Sequence, residues 1–493
     1  MRYFEILFLF LLAFSCLVPV SPTNRRAGVF LPAIPFLIGL LSILLEGYRI
    51  HIIPALVLSG VLMLLALFGT LYPGAGAGMP VKPKLSAKRW RKGIRAFART
   101  LLLAVSIALP LLFPVAELPE PGGSYPVGTM LLSFRDGTRK EIYSAAEENR
   151  NIPIQVWYPA VGSTGRKPAE WIGGRKEAAL FASYRHLPDI FGQLALVRTH
   201  SYWNADISEA EGSYPVILFS DGSAMFTGQN TIQMEELASR GYVVFSVGHP
   251  YFDFACTYPD GTITPYSEKL AAMLSADTAN ALKTARQEYN DDGNPEFSRA
   301  ILRHAEFNND CLREWSRDMR FIADRIGDMN AGKISGLFAG KLDIQRMGAF
   351  GHSFGGAAAG QLCLEDDRIK AFINLDGSPF GDAPDRNIRQ PFMILTHGGD
   401  EKYSIRNGYS AEEDHFTVVE IQGARHMNFS DFNSLTPVLG RLAGFLGDVA
   451  PGRQTRIMNE YILSFFDRYL KGKPVPLPDE TSRKYEEVTL LRY

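Results

Sequence analysis

The chain has 493 residues, of which 46% are hydrophobic, enough for a large core and more than one region. A formal net charge of −1 excludes a whole-protein field of the kind that gathers nucleic acid. Four cysteines are too few for a disulfide scaffold, and they form neither a C-x-x-C pair nor a zinc spacing; no cofactor is expected. Cys256, Cys311 and Cys363 read as small buried residues, with a Cys256–Cys311 bridge left open.

The first 117 residues read as membrane. Apolar runs cover 4–20, 29–45, 50–71 and about 97–115; a spanning helix needs about 20 apolar residues, with a range of roughly 17–25. Glu5 and the prolines Pro19 and Pro22 argue against a cleaved signal peptide at the first run. The loop between runs three and four carries Lys82, Lys84, Lys88, Arg89, Arg91, Lys92 and Arg95 and is expected in the cytoplasm, against anionic lipid. Arg25 and Arg26 fall on the same side if four spans begin with the N-terminus outside. The fourth span then carries everything after residue 117 out of the cytoplasm, as an integral multi-pass protein with the region 118–493 extracytoplasmic.

A Pro/Gly-rich linker, Glu117–Tyr125, opens the region 118–493. Thr129–Phe134 and Ile152–Tyr158 read as strands, followed by a polar stretch to Asp206. Tyr214–Ser220 is a continuous apolar strand ending at Asp221-Gly222-Ser223-Ala224. A helix over Gln229–Arg240 and a strand over Tyr242–Val247 complete a βαβ unit. Residues of about 260–310 form a helical insertion. Cys311–Ile326 is a strongly amphipathic helix, with Leu312, Trp315, Met319, Ile322 and Ile326 on one face. Further strands at Met347–Phe350, Lys370–Leu375, Pro391–Leu395 and Phe416–Ile421 end in polar loops, and helices near Leu435–Leu446 and Arg456–Tyr469 close the chain. This succession predicts an α/β, doubly wound, mostly parallel sheet, with ligands at the carboxyl ends of the strands.

Chemistry concentrates at Gly351-His352-Ser353-Phe354-Gly355, a G-x-S-x-G elbow between an apolar strand and a helix opened by Gly355, Gly356 and Ala357. A nucleophile in so sharp a turn needs neighbours with little or no side chain. Ser353 is therefore the expected nucleophile and His426, in the loop after the last strand, its base; the order serine, acid, histidine suits this fold. Two residues compete as the acid: Asp376, after the strand that follows the elbow, and Asp400, after the next. The oxyanion hole is expected from the backbone N–H of Phe354 and of Ser223. His249, His352, His397 and His415 read as satisfied polar residues.

These residues resemble the platelet-activating factor acetylhydrolase (lipoprotein-associated phospholipase A2-like) family of the α/β-hydrolase superfamily, in the form of a membrane-anchored bacterial relative. The similar segments are Gly351–Gly356, Asn374-Leu375-Asp376-Gly377, Val156-Trp157-Tyr158-Pro159, Trp315–Ile326 and, most specifically, Arg425–Phe432. The resemblance runs from about Tyr125 to Tyr469. It favours Asp376 as the acid and implies a metal-free serine hydrolase of short or oxidised sn-2 acyl esters, with phospholipid or another ester as substrate; the bilayer is the partner expected of the apolar N-terminal runs, which lie outside the resemblance. One position departs: the family's Ser-His-Gly loop reads Ser220-Asp221-Gly222 here, placing an added carboxylate beside the oxyanion loop. Other readings are a general carboxylesterase or polyester hydrolase on the same scaffold, and a catalytically silent membrane sensor or assembly module.

Overall fold

The computed structural model describes residues 2–17, 25–71, 85–144, 147–162, 165–289, 295–398, 405–411, 416–475 and 478–492. The chain divides into two compact units, Met1–Ala116 with Gly174–Val197, and Glu117–Gly173 with Arg198–Tyr493.

The first unit holds helices α1 (Tyr3–Leu17), α2 (Arg25–Glu46), α3 (Ile53–Leu71), α4 (Leu85–Leu112) and α5 (Arg175–Tyr184). Among the described residues, three helical stretches are long and apolar enough to cross a membrane: Val29–Glu46, Ile50–Phe68 and Gly93–Leu112. Helix α1 is apolar but has only 15 residues, and the end of the first apolar run lies outside the described residues. Phe10, Leu44, Leu65 and Phe68 point outward, a surface suited to lipid rather than water. Inside the bundle, the fully buried Glu5 takes a fork of bonds from Arg49, Nε to Oε1 at 2.5 Å and a terminal nitrogen to Oε2 at 2.6 Å. A carboxylate 44 residues upstream of its guanidinium partner thus becomes part of the packing. The segment 174–197, which in sequence separates the two parts of the second unit, packs within this helical unit: Phe191 meets Phe113 and Phe181, and Arg175 lies over Tyr48.

The second unit is built on one sheet of 11 strands: β1 (Val127–Lys140), β2 (Asn149–Pro159), β3 (Pro168–Glu170), β4 (Arg198–Trp203), β5 (Tyr214–Ser220), β6 (Val243–Val247), β7 (Leu342–His352), β8 (Ile369–Leu375), β9 (Phe392–Thr396), β10 (Phe416–Ile421) and β11 (Val488–Arg492). The order across the sheet is β11-β10-β9-β8-β7-β5-β6-β2-β1-β4-β3. Strands β6, β5, β7, β8, β9 and β10 run parallel, with β2 and β11 antiparallel at either side. The continuous apolar runs follow from burial of both faces. On β5, Val216 and Leu218 join one core with the long helix α9 (Glu306–Asn330) and with α10 (Phe354–Glu365). Ile217 and Phe219 join the other, with the helices Thr231–Ser239 and Pro451–Tyr469. The insertion between β6 and α9 is a helical pair, α7 (Glu268–Glu288) and α8 (Pro295–His304), with a small core of its own around Ala281, Phe297 and Ile301.

The polar stretch before Asp206 contains a strand the sequence did not suggest, β4, parallel to β1. The helix expected over Leu435–Leu446 is two short turns, Phe432–Leu435 and Pro437–Leu442, because Pro437 brings no N–H and restarts the helix. All four cysteines are free, so no Cys256–Cys311 bridge forms.

Candidate active site

Strand β7 delivers Ser353 into a left-handed turn at φ 55°, a conformation that a side chain resists and the surroundings must hold. Its N–H donates to Leu375 O at 2.8 Å, pinning the turn to β8. The flanking glycines are required by contact. A Cβ on Gly355 would stand 2.1 Å from Asp221 O, and one on Gly351 would stand 2.3 Å from the Gly355 carbonyl. Helix α10 starts directly behind the turn, so its first N–H groups face the serine.

The loop after β5 comes alongside. A Cβ on Gly222 would lie 3.0 Å from His352 Nδ1 and 3.4 Å from Ser353 Cβ. Gln229, fully buried, locks the loop to the elbow: its Oε1 accepts from Gly222 N at 2.7 Å and its Nε2 donates to His352 Nδ1 at 2.6 Å. Among the described residues, neither the Phe354 nor the Ser223 N–H donates to a protein acceptor. Two unsatisfied donors thus flank the serine, the arrangement an oxyanion needs.

Asp376 follows β8 in a second left-handed turn, φ 58°, and its side chain is 1% exposed. Its Oδ2 accepts from His426 Nδ1 at 2.7 Å. Its Oδ1 accepts from Thr396 Oγ1 at 2.7 Å and from the His397 N–H at 3.2 Å. Burial alone would raise this carboxyl's pKa, but the hydrogen bonds from His397 and His426 outweigh it and hold the group well below the usual carboxylate range. The His426 ring has 45% of its side chain exposed, and Ser353 Oγ makes no hydrogen bond to it among the described residues. Such bonds commonly tighten only when substrate arrives. Asp400 and His415 lie outside the described residues.

The Arg425–Phe432 segment is shaped by its polar residues. Asn428 Oδ1 accepts from Arg425 N at 2.8 Å and Gly447 N at 2.7 Å, closing the turn that bears His426. Asp431 takes the Trp171 indole N–H at 2.8 Å and the Ile232 N–H at 3.3 Å, tying the turn to the segment after β3 and to the helix Thr231–Ser239. His352, beside the nucleophile, is satisfied on both ring nitrogens, by Gln229 and by His426 O at 3.1 Å, and burial lowers its pKa to about 3. It is therefore a neutral brace.

Beneath the oxyanion loop lies a second serine–histidine–aspartate chain, entirely buried. Ser220 Oγ meets His249 Nε2 at 2.9 Å, and His249 Nδ1 meets Asp318 Oδ2 at 3.1 Å. Arg150 clamps Asp318 with bonds of 2.8 and 2.7 Å. The His249 ring stacks on Trp315 at 3.8 Å, and Trp315 in turn meets the Phe354 ring edge-on. With no exposed surface, this chain braces the site. Asp221 is also fully buried, and neither of its oxygens has a hydrogen-bond partner among the described residues; burial and the neighbouring Asp253 push its pKa well up, which favours the neutral acid under the loop. Gln229 was not singled out in the sequence, and His397, read there only as a satisfied polar residue, meets the Asp376 carboxylate. A histidine directly after a strand end was the one available signal for His397, and Gln229 gave none.

The family model for platelet-activating factor acetylhydrolase, isoform II, matches residues 112–474. The platelet-activating factor acetylhydrolase of Bos taurus is 24% identical over 381 residues, covering 72% of this chain and 78% of that protein. The probable 1-alkyl-2-acetylglycerophosphocholine esterase of Arthroderma benhamiae is 25% identical over 422 residues, covering 79% and 96%. Among solved structures, a ferulic acid esterase from Streptomyces cinnamoneus superposes with a TM-score of 0.60 at 25% identity, over 77% of this chain and 100% of that one. The chain is an enzyme and belongs to the platelet-activating factor acetylhydrolase, isoform II, family of serine ester hydrolases.

Proposed function

We propose that this protein is a membrane-anchored esterase that cleaves short or oxidised sn-2 acyl esters of phospholipids through an acyl-enzyme on Ser353, outside the cytoplasm. The observation that carries the reading is the Asp376–His426 bond of 2.7 Å beside a strained serine and two unsatisfied amide donors. Asp376 is the acid in this scheme. It fixes the Nδ1–H tautomer of His426, leaving Nε2 free to take the Ser353 proton as Oγ attacks the ester carbonyl carbon. The carbonyl oxygen becomes an oxyanion that accepts from the Phe354 and Ser223 N–H groups, each worth about 3 kcal/mol in the transition state. Collapse of the tetrahedral intermediate breaks the bond to the alcohol, which leaves with the proton from His426. Water, deprotonated by the same imidazole, then attacks the acyl-Ser353 carbonyl and releases the acid.

Phospholipid substrate and membrane anchoring support each other. Apolar helices would hold the enzyme where its amphiphilic ester resides, and basic residues 82–95 would keep their loop in the cytoplasm. A general carboxylesterase is the second reading, favoured by the likeness to a ferulic acid esterase. The test is hydrolysis by the full chain in detergent, with acyl length varied on p-nitrophenyl esters and on sn-2 phospholipids and Ser353→Ala as blank. Turnover of sn-2 phospholipids restricted to short or oxidised chains is expected. Turnover of simple esters without phospholipids would favour the carboxylesterase.

A further inference from the structure

Asp376 carries two imidazoles, and the scheme above uses one. His397 stands immediately after β9. Its Nδ1 lies 2.8 Å from Asp376 Oδ1 and 2.9 Å from Oδ2, while His426 reaches Oδ2 alone. An ionised carboxylate only accepts, so His397 Nδ1 must carry a proton and donate it between the two oxygens. The donors thus divide. Thr396 Oγ1 and the His397 N–H load Oδ1, His426 loads Oδ2, and the His397 ring spans both. That bridging position, together with the two donors on Oδ1, sets the plane of the carboxylate, whose last torsion has only a broad preference of its own. The His397 side chain is 37% exposed, so it is not placed there to fill a core.

We propose that His397 is a positioning residue for ester hydrolysis, holding the Asp376 carboxylate in the plane in which Oδ2 meets His426 Nδ1. This rests on reading Ser353, Asp376 and His426 as nucleophile, acid and base. The alignment matters most when His426 has taken the serine proton and become a cation, because the carboxylate then faces a full charge. Removing the His397 donor therefore weakens the transition state and leaves ester binding nearly untouched.

The experiment measures kcat and KM for p-nitrophenyl acetate with the full chain in detergent, for the native protein, His397→Leu, His397→Asn and the Ser353→Ala blank. Leucine removes the donor. Asparagine puts its amide nitrogen where Nδ1 stands. Hydrogen bonds to charged groups imply a fall in kcat on the order of 10-fold for His397→Leu, with KM changed by less than about twofold. His397→Asn should recover kcat to within about threefold of the native value. Native kcat in His397→Leu, an equal loss in both variants, or a loss confined to KM would overturn the role of His397 while leaving the hydrolase reading in place. A native protein with no turnover above the Ser353→Ala blank would overturn both.

Discussion

Replacing Asp376 by asparagine should do more than remove a charge. The Oδ1 site accepts from Thr396 Oγ1 at 2.7 Å, from the His397 N–H at 3.2 Å and from His397 Nδ1 at 2.8 Å, so only an acceptor can stand there. The asparagine carbonyl must take that place, and its NH2 group then faces His426 Nδ1. An imidazole nitrogen opposite a donor has to accept, which moves the His426 proton to Nε2, the nitrogen that should receive the Ser353 proton. The base is thus held in its wrong tautomer in an almost unchanged geometry. A tautomer reversal of this kind costs on the order of 10⁴ in kcat, about 5.5 kcal/mol. The assay is steady-state hydrolysis of p-nitrophenyl acetate by the full chain, with thermal unfolding as the control for folding. A loss below about tenfold at an unchanged unfolding midpoint would refute the reasoning, since no tautomer reversal is that mild. A larger loss in Asp400→Asn would move the acid to that residue.

Gly355→Ala should destabilise the fold by about 3 kcal/mol or more, because its Cβ would stand 2.1 Å from the Asp221 carbonyl oxygen; an unfolding midpoint equal to the native one would show that the elbow is slack. Asp221→Asn should stabilise the protein, and more so at alkaline pH. The folded-state pKa of Asp221 lies well above its ordinary 3.8, so as pH rises past 3.8 the unfolded carboxyl releases its proton while the folded one keeps it, and stability drains away until the folded pKa is reached. Melting curves at pH 5 and pH 8 check this, and a midpoint gain no greater at the higher pH would contradict it. Glu5→Gln should cost the helical unit about 3–5 kcal/mol by stranding the buried Arg49 guanidinium; unfolding of the detergent-solubilised chain measures it, and an unaltered midpoint would mean that Arg49 finds another partner.

The legible parts of the sequence were those in which one segment carries its own signal. Strand β5 declares itself because Val216 to Phe219 are buried on both faces and so are apolar without interruption. The elbow declares itself because contact distances leave no room for side chains at Gly351 and Gly355. Strand β4 was hidden, since Arg-Thr-His-Ser-Tyr-Trp near the sheet's edge has no aliphatic run, and β11 was hidden because it forms the opposite edge. Pairings between distant residues left no local trace. Glu5 counted only as a mark against a cleaved leader until Arg49 stood against it, and Gln229 looked like the start of a helix although it joins the Asp221–Ala224 loop to His352. Spacing alone left Asp376 and Asp400 open as the acid, because each follows a strand end of the same sheet. Asp221 was expected to add a carboxylate beside the site; it is instead sealed in and neutral, since burial makes the charged form too costly.

The central claim is that Ser353 forms the covalent intermediate. The most direct measurement is labelling of the full-length protein with a fluorophosphonate, followed by peptide mass spectrometry. The account predicts one adduct, on the peptide containing Ser353, absent in Ser353→Ala and strongly slowed in Asp376→Asn. An adduct on another residue, or labelling that persists in Ser353→Ala, would contradict it.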